Sequence, residues 1–464
     1  MNLNSLNMEE VKEPVPTTSK EVPLEISLKQ RLNKTLRWEA YESFTLSRVP
    51  TIVRESHKDL YEPRVVSIGP YHRGKESLGV MEEHKARCLI DFLDRNSKVG
   101  VEVYIQKVRE LEDRARRCYT ETINLNHDEF VEMLLLDGCF ILEFFFRVRA
   151  KEPHILLDVG WGIKTTLSDL LLFENQIPFF VIETLYAVVT YNEGDRDSLL
   201  DLLEPYSISP DLPAGNKIFH LLHLYYQWFI PGRISKSSGS ISFPSPRSST
   251  FSESSQCKPI PSWLRTSNLS KSNGKPYKIP MRSIPCATEL HDAGVTFRKK
   301  NSPCDVFDIT FENGIIEIPT FLIDSVRRVF YMNLAAFEQS SSAMEHDLTS
   351  YVALMNALIK TNKDVVLLKR RGIINNMLLN DEELAVFFNQ FGAWSTLYSD
   401  KHYFSPLFAE VQSYYESRWH KYRAKLMHDY FNNPWSVLSV IAAIVLLIFA
   451  AIQAVGVIFP GIHD

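Results

Sequence analysis

The stretch Asp128–Val148 reads DEFVEMLLLDGCFILEFFFRV and indicates which kind of fold this chain adopts. Its large apolar side chains recur at helical spacing and also occupy the other faces, so it predicts one long helix buried nearly all round. Asp137 lies in the middle of this run, beside Gly138. Because buried carboxylates are hydrogen-bonded, we predict a structural role for Asp137, with a functional carboxylate as the alternative.

A second pattern, residues 308–318, predicts a β-hairpin with Asn313-Gly314 at its tip. This pair is preferred in type I′ turns because both positions need a positive φ. The resulting register places two apolar pairs on one face, Phe311 with Ile316 and Ile309 with Ile318. The two patterns together predict a mainly α fold with a small β-hairpin or sheet element, of the α+β class.

The composition of the 464-residue chain is that of a globular protein, with 45% hydrophobic and 23% charged residues. The formal net charge is −5, whereas a general nucleic-acid-binding protein usually carries a basic surplus, so no nucleic-acid partner is predicted. None of the six cysteines forms a Cys-x-x-Cys pair, and no phosphate-binding, nucleophile-elbow or zinc-protease motif occurs. The sequence therefore predicts no catalytic residue, no metal site and no cofactor.

Shifts in composition divide the chain into five parts. They are a mobile N-terminal tail (1–38), a helical N-terminal part of the body (39–230), a Ser-rich linker (231–278), a C-terminal part of the body with the hairpin and further helices (279–430), and an apolar C-terminal segment (435–459).

The segment Trp435–Phe459 contains no charged residue. As a helix it would be about 37 Å long, against roughly 30 Å of bilayer hydrocarbon. It therefore predicts a single transmembrane helix, anchored in membrane lipid by Trp435, Ile444 and Phe459, with a buried core helix as the alternative. Basic residues between Arg418 and Lys425 precede the segment and none follows it. The positive-inside rule then predicts a cytosolic body with the C-terminus across the membrane, and the plasma membrane is favoured.

A polar trio at residues 174–176, Glu-Asn-Gln, interrupts an apolar stretch just before Ile177-Pro178. The proline disfavours helix at the preceding residue, so the trio is predicted to lie at a helix break. Two interpretations stay open: the side chains satisfy backbone groups released at the break, or they line a polar pocket. The candidate pocket residues are Glu174, Asn175, Glu289 and Glu338.

Several runs along the chain, in order, resemble the plant DUF247 (UPF0481) family. They are VSIGPYHRGK at 66–75, MEEHK at 81–85, LDGCFILE at 136–143, LFENQIPF at 172–179, ATEL at 287–290, AGV at 293–295, NLAAFEQ at 333–339, HDYF at 428–431 and NPW at 433–435. The resemblance covers about residue 48 to the C-terminus. It implies a mostly helical body with one C-terminal membrane span and no established catalytic residues. Some family members are associated with self-incompatibility loci in grasses, which points towards recognition or signalling.

Sequence and resemblance together predict a single-pass, membrane-anchored plant protein that is a non-enzymatic recognition or signalling adaptor with a protein partner. The alternative is a membrane-bound enzyme that uses the polar, carboxylate-lined pocket. Two carboxylates that converge in an enclosed pocket would favour the enzyme, whereas carboxylates bound to helix caps and backbone donors would favour the adaptor.

Overall fold

The structure is a computed structural model that describes residues 46–152, 159–160, 162–190, 196–204, 217–230, 283–303, 305–340, 346–377, 380–394, 402–417 and 434–458. The predicted N-terminal tail and Ser-rich linker lie outside these residues, as does Phe459. The predicted boundaries of these parts therefore stay predictions.

The first part of the body is built from helices that surround the apolar run 128–148. They are α1 Thr51–Ser56, α2 Lys58–Tyr61, α3 Gly79–Asp94, α4 Val101–Arg116, α5 His127–Ala150, α6 Gly162–Leu170, α7 Phe179–Thr190, α8 Arg196–Leu203 and α9 Leu221–Phe229. Helix α5 contains the run and contacts α3, α4, α7 and α8, so the predicted buried helix is confirmed. It begins at a capping box formed by Asn126 and Glu129, which satisfies free backbone N–H groups at its first turn.

The predicted hairpin is confirmed at its turn. Strands β2 (Thr310–Glu312) and β3 (Ile315–Ile318) are antiparallel, with Phe311 opposite Ile316. Asn313 and Gly314 have φ values of 51° and 79°, as a type I′ turn requires.

The rest of this sheet differs from the prediction. The ladder begins at Thr310 and does not include the predicted Ile309–Ile318 pair, because the Ile309 N–H donates to the Phe307 carbonyl oxygen at 2.8 Å. Strand β1 (Thr296–Lys299) pairs in parallel with β3, which gives the strand order β1-β3-β2. The sequence pattern did not predict this third strand.

The remaining elements of the second part are mostly helical. They are α10 Ala287–Asp292, β4 Phe321–Ile323, α11 Ser325–Ser340, α12 Asp347–Leu358, α13 Asn362–Arg370, β5 Ile374–Asn376, α14 Asp381–Trp394 and α15 Ser405–Glu416. Helix α11 contacts α2, α6 and α9, so it packs the second part of the body against the first. The mainly helical class with few strands is therefore confirmed.

The membrane prediction is contradicted. Most of the predicted segment lies in helix α16, which runs from Pro434 to Ile458. In the described part of the chain, no helix is both long enough and apolar enough to cross a membrane.

This finding corrects every prediction that depended on a membrane span. The transmembrane helix in the fold class, the lipid partner, the single-pass topology, the cytosolic orientation and the plasma-membrane location are all unsupported. Of the three predicted anchor residues, Ile444 is 50% exposed, and the side chains of Trp435 and Phe459 lie outside the described residues.

Candidate functional site

The polar trio occupies the turn between α6 and α7, at the break that Pro178 predicts. All three side chains are buried. The Gln176 amide nitrogen donates to the carbonyl oxygens of Leu170 and Leu172 at 2.6 and 2.8 Å, and its amide oxygen accepts from the backbone N–H of Leu222 at 3.1 Å. Gln176 therefore satisfies backbone groups released at the end of α6.

Asn175 pairs with a distant segment. Its amide oxygen accepts from the backbone N–H of Ile68 at 2.6 Å, and its amide nitrogen donates to the carbonyl oxygen of Val66 at 3.0 Å. The same nitrogen donates to the Asp169 carbonyl oxygen at 2.9 Å. We call residues 64–72, RVVSIGPYH, the clamped segment, because buried side chains from other elements hold its backbone.

Asp169 is the second side chain on the clamped segment. Its carboxylate accepts from three successive backbone N–H groups, those of Arg64, Val65 and Val66, at distances between 2.6 and 3.1 Å. Burial raises the pKa of Asp169 to about 6, against the three backbone donors, which favour the charged form.

Asp137 holds the next residue of the clamped segment. It accepts from the backbone N–H of Gly69 at 2.7 Å, and the Lys85 ammonium lies 2.6 Å from its other oxygen. Burial raises the pKa of Asp137, and the neighbouring Lys85 opposes that shift. Lys85 is also buried and lies 2.6 Å from Glu82, so its charge is compensated. The structural interpretation of Asp137 accounts for all of these contacts.

Glu174 links the α6–α7 loop, in which it lies, to the residues just before α1. Its Oε1 accepts from the backbone N–H of Val49 at 2.8 Å. Its Oε2 lies 3.4 Å from Arg54, 3.7 Å from Arg48 and 3.5 Å from Nε2 of His72. Burial raises the pKa of Glu174, whereas the Val49 N–H and the two guanidinium groups oppose the shift.

His72 is a neutral neighbour of this carboxylate. Burial, with Lys75, Arg48 and Arg54 nearby, lowers the pKa of His72 to about 3. The contact between His72 and Glu174 is therefore one between a neutral ring and a carboxylate, not an ion pair.

A cavity of about 260 Å³ lies beside this cluster. Its buried apolar lining is Val49, Tyr61, Phe173, Met332 and Phe391, and its polar lining is Ser47, Arg48, Gln339 and Ser340. Arg48 belongs to this wall, whereas Glu174 does not.

Glu338 and Glu289 form hydrogen bonds at other places in the fold. Glu338 accepts from the backbone N–H groups of Leu348 and Thr349 at 2.9 and 2.7 Å, and from the hydroxyls of Thr349 and Tyr226 at 2.6 and 2.9 Å. It therefore caps the first turn of α12. Burial raises the pKa of Glu338 to about 7 in spite of these four donors. Glu289 accepts from the backbone N–H of Cys286 at 3.1 Å, as part of a capping box.

The four candidate pocket residues are thus engaged in separate roles. Glu174 and Asn175 share one loop but bind different segments, and Glu289 and Glu338 cap different helices. Among the residues whose placement is described, no group of three or more His, Cys, Asp or Glu side chains is arranged to hold a metal ion.

Comparison with known proteins places the chain in a family. The profile of DUF247, described as a plant protein of unknown function, matches residues 46–449. The chain belongs to the DUF247 family. Two Arabidopsis thaliana proteins are similar to it. UPF0481 protein At3g47200 is 29% identical over 442 residues, which is 91% of this chain and 88% of that protein. Putative UPF0481 protein At3g02645 is 25% identical over 503 residues, which is 94% of each chain. No solved structure matches.

The runs that resemble DUF247 meet in space in this family member. Asn175 accepts from the backbone N–H of Ile68 and Asp137 from that of Gly69, so three of the runs meet at the clamped segment. Asn333, from a fourth run, accepts from the backbone N–H of Phe173 at 2.9 Å. Sequence reasoning singled out Asp137 and Asn175 but missed Asp169, Lys85 and Asn333. Asp169 and Asn333 each interrupt an apolar stretch, which was the available signal for these two, whereas Lys85 lies in a charged stretch that gave no such signal.

Proposed function

We propose that this DUF247 protein is a non-enzymatic recognition or signalling adaptor whose folded body binds a protein partner. One observation carries the proposal: the candidate carboxylates accept hydrogen bonds from backbone N–H groups inside the fold. A catalytic acid or base needs access to substrate, and the side chain of Glu174 is 0% exposed. Glu338 is likewise 0% exposed and accepts from four donors.

The exposed face of α3 supports a recognition role. Val80 and Ile90 are 70% and 61% exposed, although each is a large apolar residue. Glu83 and Arg87 lie between them and are also exposed. The spacings of three and four residues place all four on one face of the helix. A partner fits this face if it presents apolar side chains to Val80 and Ile90 and groups of opposite charge to Glu83 and Arg87.

The proposal is tested by crosslinking and capture from plant tissue, with the tagged full chain as bait. We expect a partner protein that the wild type recovers reproducibly and that the double variant Val80→Asp, Ile90→Asp loses. The matched control Val103→Asp introduces the same charge at an exposed valine of α4, 43% exposed, and is expected to keep the partner. Failure of the folded wild type to enrich any protein over the double variant would overturn the assignment to α3. An enzyme activity that Glu174→Gln removes in a folded chain would overturn the non-enzymatic assignment.

A further inference from the structure

We propose that the cavity beside Arg48 is a binding site for a small amphipathic anion, with a compact apolar or aromatic body and one carboxylate-type group. This inference goes beyond the proposed function, because it concerns a small molecule and a different surface. The cavity of about 260 Å³ is close to the lower end of ligand pockets, which begin at roughly 300 Å³.

The apolar lining fits the body of such a ligand. Tyr61, Phe173 and Met332 are each 2% exposed and Phe391 is 4% exposed. They come from α2, the loop between α6 and α7, α11 and α14, and each is part of the hydrophobic core. Because core packing holds these side chains in place, the apolar wall exists before any ligand binds.

The charges beside the cavity fit the anionic group. Arg48 and Arg54 both approach Glu174, so two guanidinium groups share one buried carboxylate. The second partner of Arg48 is Glu121, whose side chain is 49% exposed, so solvent weakens that pair. The wall therefore presents a guanidinium group with one partner exposed to solvent, and a ligand carboxylate would compete with Glu121 for it.

The order of the groups also matters. Arg48 lines the cavity and Glu174 does not, so a bound anion meets the guanidinium group rather than the carboxylate. Arg48 is held in position because it donates to the Tyr71 carbonyl oxygen at 3.3 Å and lies 4.7 Å from the centre of the Tyr71 ring. A positioned guanidinium group is a suitable partner for a carboxylate.

Polar groups complete the lining. Gln339 and Ser340 are exposed residues at the end of α11, and Ser47 is partly buried. The Ser340 hydroxyl donates to the Phe337 carbonyl oxygen at 2.7 Å, which leaves its oxygen able to accept a further hydrogen bond. A ligand with an apolar body and a polar end matches this division between buried and exposed lining.

The probe is 2-naphthoate, titrated against the purified full chain and followed by calorimetry and by the rise in melting temperature. We expect saturable binding to the wild type, and binding of the neutral 2-naphthamide that is about tenfold weaker. Ala336 lines the cavity, so Ala336→Leu is expected to weaken 2-naphthoate binding at least about tenfold. Ala86→Leu is the matched control on an exposed helix position and is expected to bind as the wild type does.

The variant Arg48→Gln tests the preference for an anion separately from the binding of the apolar body. We expect this variant to bind acid and amide equally, because only the anionic preference depends on the guanidinium group. If Ala336→Leu does not fold, Ser340→Leu narrows the exposed end of the cavity without a change in the core. The proposal is overturned if the wild type shows no saturable binding, if folded Ala336→Leu or Ser340→Leu binds unchanged, or if inorganic phosphate competes as well as 2-naphthoate.

Discussion

The Asn333 amide oxygen accepts a hydrogen bond of 2.9 Å from the backbone N–H of Phe173, 160 residues earlier in the chain. The Asn333 amide nitrogen donates to the carbonyl oxygens of Leu60 and Val329, both at 2.8 Å. One fully buried side chain thus satisfies backbone groups from α2, the α6–α7 loop and its own helix. Buried polar groups with complete partners make a fold specific, and their loss is costly.

The first prediction concerns this residue. Asn333→Ala leaves buried backbone groups of Phe173 and Leu60 without their partner, at about 1–3 kcal/mol for each unsatisfied group. We expect the free energy of unfolding in urea to fall by about 3 kcal/mol. The control Asn356→Ala removes a partly exposed asparagine from α12 and should change stability by less than about 0.5 kcal/mol. Equal losses in the two variants would contradict the role of Asn333.

The second prediction compares two glycines that both have a positive φ. A Cβ on Gly69 would lie 2.4 Å from the Gln176 carbonyl oxygen, whereas a Cβ on Gly74 meets no atom within 4 Å. Gly74→Ala should therefore cost only the left-handed strain, about 1–2 kcal/mol. Gly69→Ala should cost clearly more, because the clamped segment must move away from the α6–α7 loop. Thermal and urea unfolding measure both, and equal stability of the two variants would show that the close approach is unimportant.

The third prediction concerns pH. Burial raises the pKa of Glu338 from 4.5 to about 7 in the folded chain. The folded chain therefore retains a proton that the unfolded chain releases, and this contribution to stability is complete below about pH 4.5 and is lost by about pH 7. We expect the stability difference between the wild type and Glu338→Gln to decrease by up to about 3 kcal/mol from pH 4.5 to 8.

Urea unfolding at a series of pH values checks this expectation. The control Glu83→Gln removes one exposed carboxyl group from α3 and should follow the wild type. A stability difference between the wild type and Glu338→Gln that is constant with pH would contradict the shifted pKa.

The fourth prediction concerns the buried pair of Lys85 and Asp137, whose charged atoms lie 2.6 Å apart. Lys85→Met leaves the Asp137 charge without its buried partner, which typically costs about 3–5 kcal/mol. Asp137→Asn in the same chain removes that charge and keeps an oxygen for the Gly69 N–H. We expect the double variant to be more stable than Lys85→Met alone. Additive losses in a double-mutant cycle would show that the two groups do not interact.

Sequence patterns predicted those parts of the fold that are determined by residues close together in the chain. The apolar run at 128–148 predicted α5, the Asn313-Gly314 pair predicted the turn, and Pro178 predicted the helix break. Asp169 accepts from Val66 and Asn333 binds Phe173 and Leu60, all more than 100 residues away, and no local spacing contains that information. The parallel pairing of β1 with β3 joins residues 19 apart, such as Thr296 and Ile315, and the turn pattern that predicted the hairpin carries no information about it.

The membrane prediction was wrong although its local pattern was clear. It rested on the composition of a single segment, and in the described part of the chain no helix meets the requirements for a span. The candidate pocket was also inferred from residue type alone. Glu174, Glu289 and Glu338 are all acidic, but their positions in the fold separate them, and each accepts hydrogen bonds from backbone groups in a different place.

The most direct test of the central claim measures binding between the purified full chain and the purified partner recovered by capture. The account predicts that the wild type and folded Glu174→Gln form the same complex with similar affinity, and that Val80→Asp with Ile90→Asp binds at least about tenfold more weakly. Calorimetry gives the affinity, and light scattering gives the mass of the complex. The adaptor account is contradicted if the wild type forms no complex, or if folded Glu174→Gln loses binding while the α3 variant keeps it.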